Sequence, residues 1–259
     1  MIGRLDIPAS YRHWNRLHGA PFGFRWSNHI PRRYWTWPVL ANLVGGYAYQ
    51  PNSTARTLEY PWAFEALNVF PGAKVLEIGG GLSGFQFSLS RSGCEVVNID
   101  PGNSARGVGW PVDPQSIGLL NRRFGTSVIL KNCFIEEAGL ENSSFDRVVS
   151  ISVIEHIPRN DILTILGHIR RVLKPGGLVV LTVDLFLDLQ PFTAVETNKF
   201  GRNVSVRWMV ENSGLNLVAG RPEELYGFQA FDAVRILEHL PEYLIGSWPA
   251  LVQMLVLQK

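Results

Sequence analysis

The middle of the chain alternates short apolar runs with segments whose apolar positions recur every three or four residues. Runs at 74–78, 95–99, 127–130, 145–151, 178–183, 215–218 and 250–257 predict strands. The intervening segments 58–67, 84–92, 113–124, 161–173 and 204–211 predict helices. In the fourth, Ile162, Ile165, Leu166, Ile169, Val172 and Leu173 form one stripe, and Asn160 or Asp161 is expected to cap its start. Strands alternating with helices predict an α/β fold, a doubly wound seven-stranded sheet.

The chemistry sits at the ends of those strands. Glu77-Ile78-Gly79-Gly80-Gly81-Leu82-Ser83-Gly84 makes a glycine-dense turn from the first strand into a helix, and the second strand ends at Asp100. Glycines allow sharp turns and a close ligand approach, and an acid at that strand end suits a ribose. An adenosine-containing cofactor is expected. Gly79, Gly81 and Gly84 satisfy dinucleotide spacing, so a nicotinamide cofactor stays open on this turn alone.

Three motifs in order resemble the class I S-adenosylmethionine (SAM)-dependent methyltransferases over roughly 58–185. Glu77, Gly79 and Gly81 follow that family's E/D-x-G-x-G-x-G pattern, with Ser83 at the third glycine position. Phe145 to Ile157 resembles the family's fourth strand and the start of its next helix. Leu173-Lys174-Pro175-Gly176-Gly177 resembles its entry to the fifth. The resemblance implies a Rossmann-like methyltransferase fold with an antiparallel last strand. It also implies SAM as cofactor and S-adenosyl-L-homocysteine as product.

On that resemblance Glu77, Gly79, Gly80, Gly81 and Ser83 cradle the cofactor and Asp100 holds the ribose. Asn132, Cys133 and Phe134 lie where the family contacts adenine; many members carry Asp where this chain has Asn132. An amide still donates and accepts there. Phe134 either covers the adenine or packs in the core. Ser152, Glu155 and His156 follow the fourth strand, nearest the reacting methyl. His156 is the candidate general base, although a structural histidine bonded to backbone carries more weight. His239 is the alternative.

Composition refines this picture. The 259 residues suffice for a full core, and net charge is only +2. Yet before Glu59 the only acid is Asp6, against Arg4, Arg12, Arg16, Arg25, Arg32, Arg33 and Arg56. Ten aromatics from Tyr11 to Tyr49 share that stretch, broken by Pro and Gly. Residues 1–57 are expected to be a cap with its aromatics tucked against a SAM-binding domain at 58–259. Structural packing, a substrate pocket and nucleic-acid stacking are its three readings. The absence of lysine there and the modest net charge argue against nucleic acid.

Cys94 and Cys133 have neither paired nor metal-ligand spacing, so no metal is expected and a reducing cytoplasm is the simplest home. Apolar runs are too short for a membrane span. The long connection 185–202 and the insertion 221–248 are expected on the substrate side. Their mixture of charges and rings suits a small polar ring compound, a sugar or natural-product intermediate, with oxygen favoured over nitrogen as acceptor. An RNA or protein methyltransferase, a SAM-binding module without turnover, and a dehydrogenase are the alternatives. A homo-oligomer is left open.

Overall fold

The computed structural model describes residues 1–35 and 37–259. Strands β1 (Lys74–Ile78), β2 (Glu95–Ile99), β3 (Ile129–Lys131), β4 (Phe145–Ile151), β5 (Leu173–Phe186), β6 (Asn216–Ala219) and β7 (Ala250–Gln258) form one sheet in the order β3-β2-β1-β4-β5-β7-β6. β1 to β5 pair in parallel, and β7 runs antiparallel to both neighbours. The expected seven-stranded α/β sheet with an antiparallel last strand is therefore present.

Eight α-helices accompany it. They are α1 (Ala9–His18), α2 (Pro38–Val44), α3 (Arg56–Leu67), α4 (Gly84–Arg91), α5 (Pro114–Phe124), α6 (Arg159–Val172), α7 (Val206–Ser213) and α8 (Ala233–Glu238) among the described residues. Among these residues no helix is long and apolar enough to cross a membrane.

Several boundaries depart from expectation, among them those of β5, α6 and β3; the helix expected at 204–211 runs Val206–Ser213 and the strand expected at 215–218 runs Asn216–Ala219. β5 spans Leu173–Phe186 rather than 178–183, because Leu173 pairs with Phe145 and the far end pairs with β7 as far as Ala250. α6 begins at Arg159 behind Pro158, with no side-chain cap, so neither Asn160 nor Asp161 caps it. Proline presets the φ of that entry, and its own missing N–H costs nothing there. β3 starts at Ile129, where its pairing with Val97 begins, rather than at Ser127.

The sheet's switch point lies between β1 and β4, where strand order reverses and ligands lodge beyond the carboxyl ends. The residues following these strands meet there: a Cβ on Gly79 would lie 2.6 Å from Val153. The N-terminal segment packs partly as expected. Tyr47 is buried, its hydroxyl 3.0 Å from Ser88 Oγ, and its ring lies where a Cβ on Gly84 would come within 2.6 Å. Gly84 thus admits an aromatic ring. Phe22, Trp26 and Trp37, by contrast, are exposed rather than tucked in.

Candidate functional site

The glycine turn after β1 is fixed by steric necessity. Gly79 and Gly81 adopt φ of +70° and +53°. A Cβ on Gly80 would fall 2.8 Å from Glu77 Cδ, and one on Gly81 would fall 2.5 Å from Gln50 Oε1. Side chains from distant elements then tie the turn down. Gly80 N–H donates to Asn98 Oδ1 at 3.1 Å, while Asn98 Nδ2 and Gln86 Nε2 both donate to the Gly81 carbonyl. Gln50 Oε1 accepts from Leu82 N–H at 2.7 Å. Ser83 caps α4, its Oγ accepting from Phe85 N–H at 3.1 Å.

Glu77 lies buried behind this turn. Burial, then the neighbouring Asp100 charge, pushes its carboxyl up to about 8. Asp100 is itself raised by burial, partly offset by two amides: Gly81 N–H at 2.8 Å and Gly102 N–H at 2.7 Å. Asn132 Nδ2 donates to the Asp100 carbonyl at 2.8 Å, which fixes the backbone after β2.

A cavity opens over the switch point. Among the residues anticipated from sequence, Gly79, Asp100, Phe134, Ser152 and His156 line it. Glu77, Gly80, Gly81, Ser83, Asn132 and Cys133 stand off its wall, the first four shaping the turn. Phe134 carries the Arg106 guanidinium 4.2 Å above its ring. Gln50 and Arg56 join the wall from the N-terminal segment, for which a substrate pocket was one reading, Trp248 from the end of the 221–248 insertion expected on the substrate side, and Trp110 from the connection after β2.

Ser152 is the hub of a buried polar cluster. It holds φ +45°, a left-handed conformation costly for a non-glycine residue. Its N–H donates to the Thr182 carbonyl and to Thr182 Oγ1, both at 3.0 Å. Its Oγ donates to Glu59 Oε1 at 2.7 Å, accepts from Arg56 Nη1 at 2.8 Å, and lies 3.1 Å from Asp184 Oδ1. Arg56 also pairs directly with fully buried Glu59. Burial and the adjacent Glu155 and Glu59 hold Asp184 well above the usual carboxylate range. Burial likewise pushes Glu155 up to about 8.

His156 sits at the mouth of the loop after β4. Its Nδ1 bonds the Phe200 carbonyl. A carbonyl only accepts, so Nδ1 carries the hydrogen and Nε2 carries the lone pair. Burial lowers its pKa, keeping the ring neutral near pH 7. Trp110 meets the imidazole edge-on, with centroids 5.1 Å apart. Phe200 packs on Trp248 at 4.4 Å, so the connection after β5 backs the cavity wall through His156 and Trp248 without lining it. His239 is exposed on the end of α8, bonded to the Arg235 carbonyl, and is absent from the cavity wall; it is not placed to serve as the base.

Several of these contributors had a weak local signal: Asn98 interrupts an apolar strand and Glu59 an apolar helix. Trp248 had only its place in the 221–248 insertion, and Trp110 had none.

A family model described as a methyltransferase domain matches residues 54–219. A ubiquinone biosynthesis O-methyltransferase of Hahella chejuensis is 35% identical over 120 residues, covering 46% of this chain and 43% of that protein. A protein of the same name from Paramagnetospirillum magneticum is 28% identical over 163 residues, covering 57% and 61%. The chain thus spans about half the length of these curated relatives. Among solved structures, the Burkholderia thailandensis 1,6-didemethyltoxoflavin-N1-methyltransferase, with bound S-adenosylhomocysteine, aligns at a TM-score of 0.53 and 17% identity, covering 100% and 94%. A SAM-dependent methyltransferase from Mesorhizobium loti aligns at 0.50 and 14% identity, covering 78% and 97%.

Proposed function

The chain belongs to the SAM-dependent methyltransferase family, and from that premise we propose that it methylates a hydroxyl of a small, ring-containing acceptor bound in the cavity over the switch point. The observation that carries this reading is one cavity lined both by Asp100 and Gly79 and by a neutral His156 with its Nε2 lone pair available.

The residues present fit the cofactor. Positions 79–81 leave no room for a Cβ, as a close backbone cradle requires. Asp100 retains acceptor capacity for ribose hydroxyls beyond its two amide bonds. Phe134, Ile99 and Ile135 supply apolar wall for a base, and Arg56 supplies a guanidinium suited to a carboxylate. Glu77, Gly80, Gly81 and Ser83 act through the turn, while Asn132 and Cys133 act through the backbone beside Asp100 and Phe134. When bound, SAM supplies an electrophilic methyl on a sulfonium leaving group.

The protein's part is then to hold the acceptor in line and take its proton. His156 takes the proton at Nε2, while its Nδ1 bond to Phe200 fixes the ring. Trp110 and Trp248 offer flat faces to a ring-shaped acceptor and exclude water. A sugar or aromatic natural-product intermediate fits that wall better than a polymer. A ubiquinone-type ring is a third acceptor to screen, on the strength of the curated relatives' names. Residues 1–57 cap the cofactor side and 58–259 form the catalytic domain, with 185–202 and 221–248 on the acceptor side. Two unpaired thiols suit a reducing cytoplasm.

Calorimetric titration with SAM, S-adenosylhomocysteine and NADH tests the cofactor, followed by acceptor screening with the methyl group isotopically labelled. Micromolar binding of the first two and label on a hydroxyl are expected. Binding of NADH alone, or label on RNA or protein only, would overturn the proposal.

A further inference from the structure

Seven of the sixteen large apolar side chains exposed among the described residues fall between Leu5 and Leu43. The most solvent-facing are Val39, Leu17, Trp26 and Trp37, at 79%, 65%, 63% and 57% exposure. α2 turns Ala41 and Val44 inward and leaves Val39 and Leu43, one helical turn apart, outside. The segment before it lies alongside: Phe24 N–H donates to the Val44 carbonyl at 2.8 Å, which seats Phe22 and Trp26 beside the end of α2. Trp37 is held by Tyr34, with centroids 5.0 Å apart. A monomer rarely exposes so many large apolar groups together without using them.

The charges that the N-terminal segment itself contributes are nearly all basic. Arg16, Arg25 and Arg32 are exposed, and the only acid before Glu59 is Asp6, which faces Arg12. The methyl-transfer site uses none of these residues.

We propose that this face, built on α2 and the preceding turn, docks the protein reversibly on an anionic lipid bilayer. Tryptophan suits the headgroup boundary, with an apolar ring and one N–H, while Leu43 and Val39 reach the acyl chains. Arginines at the rim complement anionic headgroups. Single-stranded nucleic acid fits less well: Phe22, Trp26 and Trp37 could stack bases, but the most exposed member, Val39, and its neighbour Leu43 are aliphatic and give bases no stacking face. The proposal is independent of the methyl-transfer reading.

Co-sedimentation of the full chain with phosphatidylcholine vesicles, with and without about one quarter phosphatidylglycerol, tests it. Binding is expected only with the anionic lipid and is released by salt. Replacing both tryptophans (Trp26→Ala with Trp37→Ala) should weaken partitioning about tenfold or more. Arg25→Gln with Arg32→Gln should remove the preference for anionic lipid. These side chains are exposed, so circular dichroism and Tm should stay unchanged in both variants. Absence of vesicle binding overturns the proposal. So does equal binding by the variants, retention on single-stranded RNA instead, or dimerisation that the tryptophan variant abolishes.

Discussion

Asp100 Oδ2 accepts the Gly81 amide at 2.8 Å, joining the strand-end acid to the glycine turn it was expected to serve beside. With Oδ1 on Gly102, the carboxylate locks two loops and keeps lone pairs for a ribose. Asp100→Ala should therefore cost about 2 kcal/mol of stability and weaken SAM roughly a hundredfold. Urea unfolding and calorimetry measure the two separately. An unchanged SAM affinity would remove the ribose assignment.

His156→Asn separates orientation from basicity. The asparagine amide can still donate to the Phe200 carbonyl, but it has no basic nitrogen. Turnover should fall about 10²–10⁴-fold with SAM affinity and Tm nearly intact. His156→Ala should lose turnover and some stability together. If Asn restores wild-type turnover, the histidine is structural and oxygen methylation here runs without it.

Glu77 shapes the pH dependence of stability. Its folded pKa, about 8, exceeds its ordinary value of 4.5. Between these values the folded state holds a proton that the unfolded state has released. Stability therefore falls as pH rises through that window and levels off above it. Glu155, also near 8, adds to the same slope. Glu77→Gln should flatten the slope in urea titrations between about pH 5 and pH 8 without abolishing it. An unaltered slope would mean that Glu77 is already ionised in the folded protein.

Arg56 and Glu59 form the charged half of the Ser152 cluster. Glu59→Leu strands the Arg56 guanidinium and should cost about 3–5 kcal/mol. The double variant with Arg56→Met should recover much of that stability, since a buried pair is replaced by apolar groups. SAM affinity should remain weak in the double variant if Arg56 holds the cofactor's carboxylate. A double-mutant cycle in unfolding free energy, read beside calorimetry, distinguishes the two roles.

The sequence by itself determined the strands, the helices between them and the turn at 79–81. These features follow from side-chain periodicity and from glycine's freedom at positive φ, which depend on near neighbours. It also placed Asp100 directly after the second strand and His156 a few residues after the fourth. Tertiary structure decided what those residues touch. Ser152 lines the cavity where a cofactor contact was expected, and its hydroxyl also meets Glu59 from 93 positions away and Asp184 from 32. The tautomer of His156 is set by a carbonyl 44 residues downstream. Gly84 satisfied a nucleotide fingerprint, yet its missing side chain makes room for Tyr47. Such partners meet only when packing closes long loops, and burial then sets their pKa values. Neither effect leaves a periodic trace in the chain.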